Sequence, residues 1–411
     1  MSESAPLPQS PLSELAEINP PVSLSGLTPE SEVSFIPMAD ASETGQWISR
    51  QSRRLKDVRS GYTSFHDGDV LFAKITPCME NGKGCQATPL VNGIGFGSTE
   101  FHVLRARKGH SQRYVYHWTR SEELRLKAES MMTGSAGQRR VPAEFFSKFA
   151  VFSPEGQEQY RIAEILDTLD EAIQKTEQLI AKLKQIKHGL LHDLLTRGID
   201  ENGQLRDPIA HPEQFKDSVL GRIPKAWEVK KISEICRLGR GRVISQIEVA
   251  EHPGVYPVYS SQSKDSGVFG YIDTYDFEGD YVTWTTDGAY AGTVFHRKGR
   301  FNCTNVCGTL QARSQETVME YLAIALARET FKHVSYIGNP KLMNNIMAQI
   351  AIALPPELEQ EAIVQALSTH DAREKKEAEL LRKYHNLKKG LMHDLLTGKV
   401  RVTTTQGVAH V

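Results

Sequence analysis

The stretch Gly189-Leu-Leu-His-Asp-Leu-Leu-Thr196 returns as Gly390-Leu-Met-His-Asp-Leu-Leu-Thr397, displaced by 201 residues (390 minus 189) without a gap. Working back from it, Pro154, Glu158, Gln159, Ile162, Leu166 and Lys187 meet Pro355, Glu359, Gln360, Ile363, Leu367 and Lys388 at the same displacement. Agreement this long at one spacing means that a structural unit is written twice. In the first copy Ile162, Leu166, Leu169, Ile173, Thr176, Ile180, Leu183, Lys187, Leu190 and Leu194 alternate steps of four and three. That is heptad spacing, and it predicts a long helix over residues 154–197 whose stripe faces another helix. The second copy, residues 355–398, keeps Ile363, Leu367, Leu381, Tyr384, Leu391 and Leu395 on its stripe, while His370, Glu374 and Glu377 interrupt it. At 1.5 Å per residue each helix spans about 60 Å, more than a small domain's diameter. The two are therefore expected to pair.

A fainter echo precedes each helix. Asp67-Gly-Asp-Val-Leu-Phe-Ala-Lys74 and Glu278-Gly-Asp-Tyr-Val-Thr-Trp-Thr285 both read as a turn entering a strand. Apolar runs at residues 70–75, 101–104, 255–259 and 281–284 predict further short strands, and residues 113–130 and 318–333 predict helices. The fold class is α+β: two globular mixed α/β domains, each followed by a long helix. The expected order is an acidic Pro/Ser-rich leader with the approach to the first domain (1–49), a first domain (50–153), its helix (154–197) and a turn-rich linker (198–221). A second domain (222–354), its helix (355–398) and a tail (399–411) follow.

The net charge of -1 speaks against nucleic acid only as an average. Residues 1–49 hold seven acidic side chains and no Lys or Arg, whereas residues 50–148 hold 17 basic against 9 acidic ones. Charge is segregated along the chain. The start lacks a signal-peptide pattern and no stretch supplies about 20 apolar residues for a membrane span, so a cytoplasmic protein is expected. Five scattered cysteines do not make a disulfide framework. Cys303 and Cys307 are half of a zinc set with only His296 nearby, so buried thiols are expected and no metal is assigned.

Catalytic patterns fail on inspection. Asn19-Pro20-Pro21 begins a signature with which adenine methyltransferases hold a flipped base, but Val22 stands where an aromatic ring would stack. A phosphate-binding Gly-x-x-x-x-Gly-Lys-Ser/Thr loop does not occur. What the domains offer is polar loops. In the first, Lys74, Thr76, Asn81 and Lys83 follow a strand, and Gln138, Arg139 and Arg140 sit beside Gly134 and Gly137. In the second the candidates are Arg240, Arg242, Ser261, Gln262, Thr286, Asp287, Asn339 and Lys341. Gly338-Asn-Pro-Lys341 aligns with Gly137-Gln-Arg-Arg140 at the displacement of 201. Amides pair with adenine and guanidinium with guanine, while lysines chiefly add phosphate affinity.

With Pro-x-x-x-Glu-Gln opening both helices at Pro154 and Pro355, and Leu-Leu-Thr closing them, the chain resembles the specificity subunit of type I restriction-modification systems, the HsdS family. The resemblance covers nearly everything after residue 49, though the first domain lacks an equivalent of Ile223-Pro-Lys-Ala-Trp-Glu228. It implies two target-recognition domains held by an antiparallel coiled coil, reading a bipartite, asymmetric double-stranded DNA target across an unread spacer. It also implies a chain without a catalytic site. The expected partners are two methyltransferase subunits and, in some systems, restriction subunits that translocate DNA; S-adenosylmethionine, ATP and magnesium belong to those partners. The competing reading is a coiled-coil interaction scaffold that reads no sequence.

Overall fold

The computed structural model describes residues 7–135, 137–262 and 264–402, so the first six residues of the acidic leader and residues 403–411 of the tail lie outside it. The chain forms two compact units. One joins the residues up to Gln178 with those from Ala378 onward, and the other is Leu179–Glu377.

The first unit begins earlier than its charge suggests. Gln9–Pro11 pairs antiparallel with Ala150–Phe152, a single helical turn follows at Leu12–Leu15, and Ala16–Ile18 joins a sheet. The second unit opens alike: Glu228–Lys231 pairs with Ala351–Leu354, a turn of helix occupies Ile232–Ile235, and Cys236–Arg240 enters a sheet. Even the anchoring bonds correspond, Leu12 N–H to Phe149 O at 2.9 Å and Ile232 N–H to Ile350 O at 3.0 Å. From Gln9 onward the acidic stretch is thus the opening of the first domain, not a leader ahead of it. Its carboxylates meet the basic segment, Glu30 binding Arg54 and Lys56, and Glu17 binding Arg107.

Four strands follow the order Ala16–Ile18, Phe101–Ala106, Val70–Ala73, Gly84–Gln86; four more follow Gln51–Arg54, Glu32–Ile36, Ile94–Gly97, Thr63–His66. Val70-Leu-Phe-Ala73 is apolar throughout because both its faces are covered. Val70 and Phe72 join the core formed with Trp118, Phe145 and Ile162, while Leu71 and Ala73 turn to Ile36 and Phe65 of the other sheet. The helix expected over residues 113–130 is broken in two, Gln112–Arg120 and Glu122–Ser130, because Ser121 ends one and its side chain caps the next.

The second unit carries a six-stranded sheet in the order Cys236–Arg240, Cys307–Ala312, Phe277–Thr285, Val294–Cys303, Pro253–Tyr259, Val268–Ile272. Glu278-Gly-Asp280 is not a turn. It lies inside the nine-residue strand Phe277–Thr285, where Gly279 pairs with Gly299 of the neighbouring strand. Trp284, Leu310 and Leu322 centre the core. Cys303 and Cys307 are buried free thiols.

The long helices are Gly156–Thr196 and Glu357–Leu396. In the first unit Ile162 and Leu166 share a core with Leu395 and Leu396, and Lys388 pairs with Asp170. In the second, Leu194 and Leu195 share a core with Ile363 and Leu367, and Lys187 pairs with Asp371 at 2.5 Å. The beginning of each helix meets the end of the other, so they run antiparallel. Leu169, Ile173 and Leu183 are buried, and Ile180, Leu190, Leu381, Tyr384 and Leu391 half-buried.

The Glu-Gln pair that opens each helix has a structural task. Gln159 donates to Pro154 O and accepts from Ser111 N–H, the cap of helix Gln112–Arg120; Gln360 donates to Pro355 O and accepts from Val318 N–H, before helix Met319–Glu329. Glu158 clasps Arg401 (2.7 and 2.9 Å) and Val402 N–H, and Glu359 clasps Arg206 (2.5 and 3.1 Å) and Ile199 N–H. Each carboxylate binds the chain leaving the other helix.

Candidate nucleic-acid interface

In the first unit the chain leaving strand Val70–Ala73 runs beside a hairpin closed by Thr133 and Arg140, whose backbones exchange bonds of 3.0 and 2.8 Å. Thr76 N–H donates to Arg139 O at 3.0 Å and Val141 N–H to Lys74 O at 2.9 Å, so the two predicted loops form one surface. Several side chains there are committed inward. Arg140 grips Glu100 with contacts of 2.7 and 3.0 Å, and this guanidinium holds the Glu100 carboxyl below the ordinary carboxylate range. Thr76 donates to Glu80 at 2.8 Å, Arg139 lies 3.5 Å from Glu80, and Lys83 donates to Met38 O. Asn81 and Gln138 are exposed and Lys74 half-buried.

Buried groups fix this surface from behind. Arg125 donates to Met79 O at 2.8 Å, and burial pulls its guanidinium down to about 9. His102 binds Val141 O through Nε2 at 2.8 Å while its Nδ1 meets the Asn19 amide at 3.1 Å. Burial lowers the His102 pKa, in keeping with a neutral ring that accepts at Nδ1. Asn19 also accepts from Val103 N–H. The Asn-Pro-Pro stretch is therefore a brace between strands.

The second unit repeats the arrangement. Ser335 and Lys341 exchange backbone bonds of 2.9 Å to close a hairpin; Gly288 N–H donates to Pro340 O at 3.0 Å and Leu342 N–H to Thr286 O at 2.9 Å. Gly137 and Gly338, which align in sequence, both have positive φ, 79° and 76°, a conformation that suits glycine in a tight turn. Asp287 collects its neighbours: Thr286 donates to it at 2.8 Å, with Arg240 at 3.4 Å and Lys341 at 3.8 Å. Thr286 is fully buried, so its hydroxyl organises Asp287 and does not face outward. Arg240 further donates to Asn305 O, and Thr304 next to it bonds Ser260, which draws the loop of Ser261 and Gln262 toward the same rim. Arg242 is held by Asp276 (2.9 Å) and Glu248 (2.6 Å), and the Gln262 amide donates to Val268 O. Asn339 and Lys341 are exposed.

Sequence reasoning passed over Tyr290, Tyr336 and Ile337, which sit on these loops with large exposed side chains. Ile337 belongs to the hairpin whose polar members were noticed; the signal was its position one residue before an aligned turn glycine.

A separate polar network lies within the first unit. His117, Asp167 and Asp170 offer ligand atoms within 4.8 Å of one another. Arg113, however, donates to both Asp167 oxygens, His117 Nε2 lies 2.7 Å from one of them, and Lys388 takes Asp170. Burial opposes ionisation of Asp167, yet His117 and Arg113 hold its carboxyl well below the usual range. Arg113 and Lys388 already pair with the two carboxylates.

The family described as the type I restriction modification DNA specificity domain matches residues 10–185 and 224–382. A putative type I specificity subunit N-terminus of Mycoplasma pneumoniae is 46% identical over 140 residues, covering 34% of this chain and 75% of that one. The type I restriction enzyme EcoEI specificity subunit of Escherichia coli is 35% identical over 213 residues, 51% of this chain and 36% of that one. In structure the chain is similar to the type I restriction-modification S subunit of M. genitalium, with a TM-score of 0.60 at 14% identity over 96% of this chain and 97% of that one. With both of its repeats matched, the chain belongs to the type I restriction-modification DNA specificity family.

Proposed function

We propose that this chain reads a bipartite double-stranded DNA target, one half-site per unit, as the non-catalytic specificity subunit of a type I restriction-modification complex. The observation that carries the reading is a pair of hairpins docked by corresponding backbone bonds, of Arg139 and Val141 in one and Pro340 and Leu342 in the other, that differ by one residue in length and in the chemistry of their tips, Gln138 and Arg139 on one, Ile337 and Asn339 on the other. A constant frame with changed edge chemistry is what two unlike half-sites require. The antiparallel helices would then act as a ruler that sets the unread spacer. Ion pairs engage Arg140, Arg240 and Arg242, so tight binding would draw on phosphate contacts made by partners. Those partners would be two methyltransferase subunits using S-adenosylmethionine for N6-adenine methylation, joined in the cytoplasm by restriction subunits that use ATP and magnesium.

Single-molecule mapping of N6-methyladenine, in cells expressing this chain with its methyltransferase and in cells lacking only this chain, tests the proposal. A split motif that vanishes with the chain is expected. Unchanged methylation, with the methyltransferase shown active and bound, would overturn it in favour of an interaction scaffold.

A further inference from the structure

Ile337 is 94% exposed and its neighbour Tyr336 66%, at the tip of the hairpin closed by Ser335 and Lys341. Single apolar side chains are common on protein surfaces, but this one stands on a hairpin with a fixed base. Its base has reciprocal backbone bonds, Pro340 restricts φ and accepts from Gly288 N–H, and Lys341 is tethered through Asp287. The next loop adds Tyr290, 56% exposed, and Asp287 gathers Arg240 and Lys341 at the foot of the hairpin. An exposed apolar tip beside an exposed amide, on a hairpin whose foot gathers two cations around one carboxylate, fits a polyanion with apolar features on its edges. The aligned hairpin of the first unit has Gln138 and Arg139 where this one has Asn339 and Pro340.

We infer that Ile337 and Asn339 together read the major-groove edge of one A·T pair, the amide on adenine N6 and N7 and the isoleucine against the thymine 5-methyl group. This rests on the DNA-reading proposal and adds which chemical feature the second unit selects. Loss of one methyl contact corresponds to about a fourfold loss of affinity.

The test is competition binding by the complex with its methyltransferase, at fixed salt, to duplexes carrying the mapped motif with each thymine singly replaced by deoxyuridine, which lacks the methyl. One replacement should weaken the parent complex about fourfold, and Ile337→Ala should weaken the thymine duplex equally while erasing the difference between the two duplexes. Asn339→Ala should relax preference at the same base pair. The inference falls if no deoxyuridine replacement matters, if Ile337→Ala loses equally on both duplexes, or if it weakens assembly with the methyltransferase instead, which would make the tip a protein contact. A complex with no preference for the motif at all would instead remove the DNA-reading proposal. The deoxyuridine series uses the unaltered chain, so its outcome does not depend on how a variant folds.

Discussion

Gln138 and Arg140 stand two residues apart on one hairpin and carry different expectations. Gln138 is exposed with its amide available, so Gln138→Ala should cost about 1–3 kcal/mol at one base pair of one half-site, leaving thermal stability unchanged; competition binding on singly substituted duplexes measures it. Arg140 is engaged with both oxygens of Glu100. Its role is to hold the hairpin, so Arg140→Lys, which keeps the charge but loses the two-point grip, should reproduce most of the Arg140→Ala defect; equal binding by Arg140→Lys and the parent would contradict this. His117 gives a pH dependence. Burial lowers its pKa from 6.5, and although its bond to Asp167 works the other way, the folded ring stays neutral where the unfolded one gains a proton. Its stabilising contribution is therefore complete above pH 6.5 and lost as pH falls below it, with His102 acting in the same sense. Urea midpoints followed downward from pH 7 should decline, and His117→Gln should flatten part of that decline. That the candidate arginines are tied to carboxylates was not legible in the sequence, because the partner of Arg140 lies forty residues away and is supplied by the fold.

At the scale of elements, the helices were readable almost to the residue, since heptad spacing and the Pro and Gly at their ends are local signals. The domain openings were not. Leu12-Ser-Glu-Leu15 and Ile232-Ser-Glu-Ile235 are a visible match, but their displacement of 220 (232 minus 12) differs from the 201 of the helices, and the acidic charge around the first disguised it. Glu278-Gly-Asp280 was misread as a turn because its glycine marks a cross-strand pairing that only the neighbouring strand reveals. The polar break in the second stripe is real: His370 occupies the place of Leu169, and both its ring nitrogens are buried without a partner among the described residues. Replacing it by leucine removes that unmet demand, so His370→Leu should stabilise the second unit by about 1 kcal/mol. Urea denaturation checks it; a lower midpoint would mean that His370 is satisfied in solution.

For the whole molecule, the proposed ruler has a metric consequence. One heptad added to each helix lengthens it by about 10 Å, the rise of about three base pairs. Methylation mapping should then find a longer spacer between unaltered half-sites; an unchanged spacer would end the ruler. The clasps at Glu158 and Glu359 carry a different implication, one about time. The second unit is a continuous run of chain, Leu179–Glu377, whereas the first needs Leu395, Leu396 and Arg401 to complete its core and its clasp. Domains are ordinarily finished in the order in which the ribosome makes them. Here the unit whose strands are made earlier must wait, incomplete, until Leu395, Leu396 and Arg401 have been added, and the unit made after it is the first to close.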